Sequence, residues 1–447
     1  MNKSSEHSEL LSGFCNIFKL LRKRKYMYYG YKISDYTANL ARQAEADCAE
    51  VFKKIDENAL ICSAKVLTAF QECMVSTADF IEVTGYGFTD SGRDKLEAIY
   101  AKVFGAEDAL VRPQLMSGTH ALAVTLGGLL KYGETLVYVS GAPYDTLKSV
   151  IGTAGESRNS LIKCGVKYEE IDLIGDDFDL EAIEKRLSKG DVKVAAIQRS
   201  RGYSQRKSLT IDKIEEAIKV IKRASPDTII MVDNCYGEFT EDREPTDVGA
   251  DVFVGSMMKN LGAGFAVSGG YCVGRRDVIE DIAERFSAPC IGKELGANFN
   301  QLASLYKGFF MAPTTTAATL KSMAFAARML ELCGFEEVDP KYDEVRTDIV
   351  QTVNLHSADK LIKFCKGIQM GSPVEAYCIP EPGDMPGYAH PEIMAAGTFI
   401  TGATNELSCD GPVTPPYTAY MQGGLTYDYG KLGVMRAIDE MLDLSEK

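Results

Sequence analysis

From about residue 65 onward, short apolar runs recur between stretches of helical spacing. Residues 135–140, 194–198, 228–233, 251–255 and 270–274 are β-branched or apolar runs bounded by turn residues. Runs of that length predict buried strands of a mainly parallel sheet. Helical periods fall between several of them, over 117–131, 144–152, 180–188 and 211–224. Strands alternating with helices predict an α/β sandwich around a central sheet. A longer helical period, 300–334, leads into a region rich in Gly and Pro at 379–391 and 411–424. Ahead of all this, residues 38–54 alternate charged and apolar positions at helical spacing. The expected division is an N-terminal helical arm (1–50), a large domain (51–305), and a bridging helix with a smaller C-terminal domain (306–447).

Composition narrows the functional classes. With 447 residues, 45% of them hydrophobic, the chain has enough apolar mass for a large core and about two domains. Its formal net charge of −14 argues against nucleic acid as a partner. The one basic run, Leu21-Arg22-Lys23-Arg24-Lys25, reads as a solvated helix face. No run of about 20 apolar residues is present, so no membrane span is expected, and the polar stretch from Met1 to Leu10 carries no apolar signal core. Twelve scattered cysteines without a Cys-x-x-Cys pair fit free thiols in a reducing cytoplasm. With four histidines, and none beside Ala389-His390-Pro391 at ligand spacing, no metal site is expected.

Three stretches carry chemistry. Asp233 ends one apolar run, and Lys259 follows the next by a few residues, in Gly255-Ser256-Met257-Met258-Lys259-Asn260. In an open α/β sheet, ligands sit beyond the carboxyl ends of strands, so both side chains face one crevice. A carboxylate there keeps a pyridinium nitrogen protonated, and a lysine forms a Schiff base. Ser256 offers a hydroxyl to a phosphate. Second, Ser117-Gly118-Thr119-His120 opens a helix whose first amides suit a phosphate. Third, Tyr144 follows the run 135–140 at another strand end, where an aromatic ring stacks on a pyridine. Each has a plainer alternative: a capping Asp with a surface Lys, an ordinary helix start, a structural Tyr. His120 fits a histidine satisfied within the fold, and Tyr236 and Glu238 fit either pocket lining or loop packing. No Gly-x-Gly-x-x-Gly follows the early strands, which argues against a dinucleotide enzyme.

In this order the stretches resemble fold-type I pyridoxal 5'-phosphate (PLP) enzymes. More narrowly, the chain resembles the aluminium-resistance or methionine γ-lyase-like group, relatives of the cystathionine lyases. The resemblance runs from about Ala38 to Tyr427. Further marks are Gly85-Tyr86-Gly87-Phe88, Gln198-Arg199-Ser200-Arg201-Gly202-Tyr203, Met385-Pro386-Gly387-Tyr388, Glu406-Leu407-Ser408-Cys409-Asp410 and Gln422-Gly423-Gly424-Leu425. It implies the fold-type I transferase fold, with Lys259 as the Schiff-base lysine, Asp233 as the pyridine partner and Tyr144 as the stacking ring and proton donor. Gly118, Thr119 and Ser256 would hold the phosphate. Tyr86, with Arg93 as a helper, would reach the phosphate of a neighbouring subunit, so a dimer or tetramer with shared sites is implied.

The implied activity is β- or γ-elimination on a sulfur-containing amino acid, giving a 2-oxo acid, ammonia and a thiol. Amino transfer, aldolase-type cleavage, a non-sulfur leaving group, or a catalytically quiet binding subunit are the alternatives. The chain departs from the group at Phe88, at Leu261 and Ala263 after the lysine, and at Thr414, where an Arg is common. From Tyr377 onward Arg436 is the only arginine. Arg199, Arg201 and Arg206, with Tyr203, are therefore the alternatives for binding the substrate, since a bidentate Arg usually takes the carboxylate.

Overall fold

The computed structural model of the chain describes residues 28, 30–86, 90–384 and 390–444. Met1 to Leu10, the basic run at Leu21 to Lys25, Phe88 and Met385 to Tyr388 lie outside the described residues.

Eleven α-helices are described: α1 (Asp35–Asp47), α2 (Ala49–Glu72), α3 (Ser91–Val103), α4 (Gly118–Leu129), α5 (Asp145–Ile151), α6 (Leu180–Leu187), α7 (Ile211–Ala224), α8 (Arg276–Phe286), α9 (Leu302–Leu332), α10 (Ala358–Met370) and α11 (Tyr427–Met441). The large sheet holds β1 (Asp108–Arg112), β2 (Thr135–Tyr138), β3 (Lys167–Glu170), β4 (Val192–Gln198), β5 (Ile229–Asp233), β6 (Val252–Ser256) and β7 (Gly270–Gly274). The smaller sheet holds β8 (Val338–Asp339), β9 (Gln351–Asn354), β10 (Glu392–Ala395), β11 (Ser408–Pro412) and β12 (Thr418–Gln422).

The large sheet runs β1-β7-β6-β5-β4-β2-β3. Strands β3, β2, β4, β5 and β6 are mutually parallel. Alternate residues of one strand enter cores on opposite faces: Ile230 and Val232 on one side, Ile229 and Met231 on the other. Burial on both faces is why these strands read as continuous apolar runs. Helices α4, α5 and α8 cover one face; α3, α7 and the first part of α9 cover the other. The sequence pattern treats residues 270–274 as one more member of a mainly parallel set. The structure instead places β7 antiparallel to both β6 and β1. Residues 257–269, between β6 and β7, hold a 3₁₀ turn (Asn260–Gly262) and no crossover helix, and a parallel return needs such a crossover.

At 31 residues, α9 is long enough to serve two cores. Its first part, from Leu302 to Ala312, packs on the large sheet, and Met323 to Leu330 pack in a separate core with α1, α10, α11 and the smaller sheet. That sheet, β10-β11-β12-β9-β8, is antiparallel throughout. Ile393, Ala395, Cys409, Ala419 and Met421 point into its core, so their alternates face the other way. The helical period expected over 38–54 is two helices that meet at Cys48. The described cysteines are all free thiols.

Candidate active site

Three parallel strands end side by side in polar residues. Gln198 closes β4, Asp233 closes β5 and Ser256 closes β6, and all three are buried. Beyond these ends lies a cavity of about 430 Å³. Tyr144, Gln198, Tyr203, Asp233, Cys235, Tyr236 and Lys259 line it from the side of the large sheet, Met394, Asp410 and Tyr420 from the smaller sheet, and Thr404 from the segment between β10 and β11.

Lys259 sits at the start of the Asn260–Gly262 turn, where its amide donates to the Ser256 carbonyl at 3.2 Å. Its Nζ stands 3.7 Å from the centre of the Tyr236 ring. Tyr236 takes this place with a backbone φ of +72°, a conformation that tight loops impose on few non-glycine residues. Burial works against the Lys259 ammonium, but Cys235, Tyr236 and Asp233 outweigh it, and the net shift is upward. Burial also raises the Asp233 carboxyl, against the pull of Lys259 and a hydrogen bond from the Cys235 amide at 3.1 Å. The crevice thus holds an acid and a base whose charges depend on each other.

Tyr144 caps the start of α5, and its amide donates to Gln198 Oε1 at 2.8 Å. Gln198 Nε2 in turn donates to the Ser200 carbonyl at 3.0 Å, so the strand-end amide fixes the tyrosine's backbone. The Tyr144 hydroxyl shares a 3.0 Å hydrogen bond with Thr119 Oγ1. Burial raises its pKa above the ordinary phenol value, so it stays protonated at neutral pH.

Gly118, Thr119 and Ser256 sit beside that cavity rather than on its lining. A Cβ built on Gly118 would lie 3.3 Å from Cys235 Sγ and 3.4 Å from Ser256 Cβ. A side chain there would crowd this spot by a few tenths of an ångström, so glycine leaves the cradle more open. Ser117 Oγ accepts from the His120 amide and the Ser117 carbonyl from the Ala121 amide. That leaves the first two helical amides, those of Gly118 and Thr119, for an anion. His120 is half-buried, and its Nδ1 accepts from the Met116 amide at 3.2 Å. The donor set fits PLP: amides and hydroxyls for a phosphate, a carboxylate for a ring nitrogen, an amine for the aldehyde.

Several expected residues lie elsewhere. Tyr86, whose expected target is the phosphate of a neighbouring subunit, is 85% exposed, in a bridge with Leu295. Arg93 is buried against Asp94 and the Glu294 carbonyl. Arg199, expected near the substrate, is instead wholly buried and held by Asn234, the Gly237 carbonyl, Glu241 and Glu244. Arg436 donates to the Lys32 carbonyl, within the second core's helices. Arg201 pairs with Asp339, and the Arg206 guanidinium is taken up by backbone carbonyls. Both line an adjoining hollow of about 400 Å³ that shares Tyr144, Gln198 and Tyr203 with the main cavity. Cys235 and Tyr420 carry no signal of their own in the sequence, and Asp410 carries none beyond lying in the resembling stretch Glu406 to Asp410. Among the described residues no group of His, Cys, Asp and Glu is placed to hold a metal ion.

A parallel sheet with an antiparallel strand, a long bridging helix, a second α+β unit and a cleft at the strand ends define the fold-type I class of PLP-dependent proteins. The profile of the methionine gamma-lyase family matches residues 37–442, and the chain belongs to that family of lyases. The uncharacterized protein YnbB of Bacillus subtilis is 46% identical over 404 residues, covering 90% of this chain and 96% of its own. The crystal structure of a carbon-sulfur lyase involved in aluminum resistance from Clostridium novyi NT superposes with a TM-score of 0.89. The two are 45% identical, and the match covers 93% of this chain and 98% of that one. The pyridoxal-5'-phosphate dependent protein YhfS of Escherichia coli shares the fold, at 18% identity and a TM-score of 0.59 over 87% of this chain and 97% of its own. Among the described residues no helix is long and apolar enough to cross a membrane.

Proposed function

We propose that this chain is a PLP-dependent carbon–sulfur lyase that eliminates a thiol from an amino acid and releases a 2-oxo acid and ammonia. The observation that carries the reading is the meeting of Lys259 and Asp233 in one buried crevice, with Tyr144 on the same cavity. Lys259 would anchor the cofactor, Asp233 would hold its ring nitrogen, and Gly118, Thr119 and Ser256 its phosphate. When bound, PLP supplies an electron sink that stabilises negative charge at the substrate's α-carbon. Lys259, whose Nζ lies over the Tyr236 face, would act as the general base for the α-proton once its amine is neutral. Tyr144 keeps its proton, so it is placed to deliver one to the departing sulfur. Gln198 positions Tyr144 through its backbone amide. The cavity holds no arginine among the described lining residues, and Arg201, on the adjoining hollow, is the guanidinium left for the α-carboxylate.

Tyr86, exposed on one chain, is a group to offer a neighbour, so the working unit is a dimer or larger with shared sites; a monomeric active enzyme by light scattering would contradict it. The activity is tested by supplying cystathionine, cysteine, homocysteine and methionine to PLP-loaded protein. Release of a 2-oxo acid with a thiol or sulfide, without any amino acceptor, is expected. Turnover that occurs only with an added 2-oxo acid acceptor would replace the lyase with an aminotransferase.

A further inference from the structure

The smaller sheet gives the cavity an acidic wall. Ile393, Ala395, Cys409 and Ala419 fill the second core. Strand alternation therefore turns Glu392, Met394, Asp410 and Tyr420 to the opposite face; Met394, Asp410 and Tyr420 line the cavity, and Glu392 lies beside its lining on that face. Met394 pairs directly with Asp410 across β10 and β11. Glu392 is then the diagonal neighbour of Asp410 on the same face, within reach of a long side chain.

Among the described residues neither carboxylate has a cation of its own. Asp410 accepts from the Tyr203 hydroxyl. Tyr203 is fixed in turn, because its carbonyl accepts from the Tyr420 hydroxyl at 2.8 Å and the two rings meet edge to face. Glu392 is 7% exposed, and its buried Oε2 has no hydrogen-bond partner. Asp145, which lines the same cavity, already has Lys148 at 2.9 Å. Among the described residues lining the cavity, Lys259 is the one cationic side chain, and it serves the Asp233 side. Burial, with Asp410 and Asp145 nearby, pushes the Glu392 carboxyl up to about 7; burial pushes Asp410 up to about 6. Buried carboxylates left without a counter-charge are costly, and a cation brought by a ligand relieves that cost.

We infer that Asp410 and Glu392 form a specificity site for an ammonium group on the departing arm of the substrate. The substrate class is then a thioether amino acid whose second arm ends in a positively charged amine. A neutral alkyl arm gains nothing from this wall, and a purely anionic one is repelled by it. The inference deepens the lyase reading and rests on it for the identity of the departing arm.

Two probes separate the ideas. S-(2-aminoethyl)cysteine and S-propylcysteine have arms of equal length, one ending in an ammonium and the other in a methyl group. Their affinities are measured by calorimetry on borohydride-reduced holoenzyme, which does not turn over, and 2-oxo acid release is followed on unreduced holoenzyme. The wild type is expected to bind the aminoethyl compound about tenfold more tightly or better, as a charge-assisted contact gives. Asp410→Asn with Glu392→Gln should bring that ratio to near one. Binding of the propyl compound, unchanged within about threefold, shows the variant is folded. Equal affinities in the wild type, or a preference that survives in the double variant, would overturn the site. A charge preference without cleavage of either probe would keep the site and remove the lyase reading. Equal cleavage without a preference would do the reverse.

Discussion

A lysine that is one of many in the chain is set apart here by what surrounds its nitrogen. Tyr236 lies against it, Asp233 draws its charge, and the turn that carries it begins at a strand end. The same loop buries Glu238, whose Oε1 accepts from the Tyr271 hydroxyl and whose Oε2 has no partner among the described residues. Burial pushes this carboxyl up to about 8, against about 4.3 in an unfolded chain. Between those two values the folded chain holds a proton that the unfolded chain has lost. Unfolding therefore becomes easier as pH rises through that window, and the sign is fixed by linkage. Glu238→Gln should remove this dependence, so that the variant's Tm gains on the wild type between about pH 4.5 and pH 8. Parallel Tm curves for the two proteins across that range would show that Glu238 is ionised when folded.

At the scale of elements, the loop between β6 and β7 places the chemistry. It holds a 3₁₀ turn and no crossover helix, and β7 returns antiparallel. Its tightest point is Gly262, where an added Cβ would stand 1.6 Å from the Met257 carbonyl oxygen. Gly308 of α9 packs on the same residue, and a Cβ added there would meet the Gly262 carbonyl oxygen at 2.5 Å. Nothing in that contact yields cheaply, since both sides are backbone. Gly262→Ala is expected to cost about 3 kcal/mol in stability, at the upper end for an overpacked site. Chemical denaturation checks this, and a loss below about 1 kcal/mol would mean the turn shifts without strain. Within this loop Leu261 is fully buried in the first core, and Ala263 takes a φ of +49° after the turn, a conformation that costs a non-glycine residue strain.

Across the whole molecule, the parts legible in the sequence are those that repeat a local rule. Strands β2, β4, β5 and β6 are buried on both faces, so they stand out as apolar runs. Strand β3 is an exposed edge of Lys167, Tyr168 and two glutamates, and nothing in its pattern announces a strand. Lys259, Asp233 and Tyr144 are legible because each follows a recognisable strand and strand ends converge. Asp410 and Tyr420 are not, because their place depends on how the second sheet closes over the first, a contact between residues about 150 or more apart in the chain. Arg199 shows the reverse: a residue type suited to a carboxylate is occupied in holding the loop after β5. The most direct test is of the cofactor on its lysine. Purified protein is incubated with PLP, freed of excess, reduced with borohydride and digested for mass spectrometry. A yellow protein that loses its colour on reduction, with one modified residue at Lys259, is the predicted result; a colourless protein, or a label carried by another lysine, would contradict it.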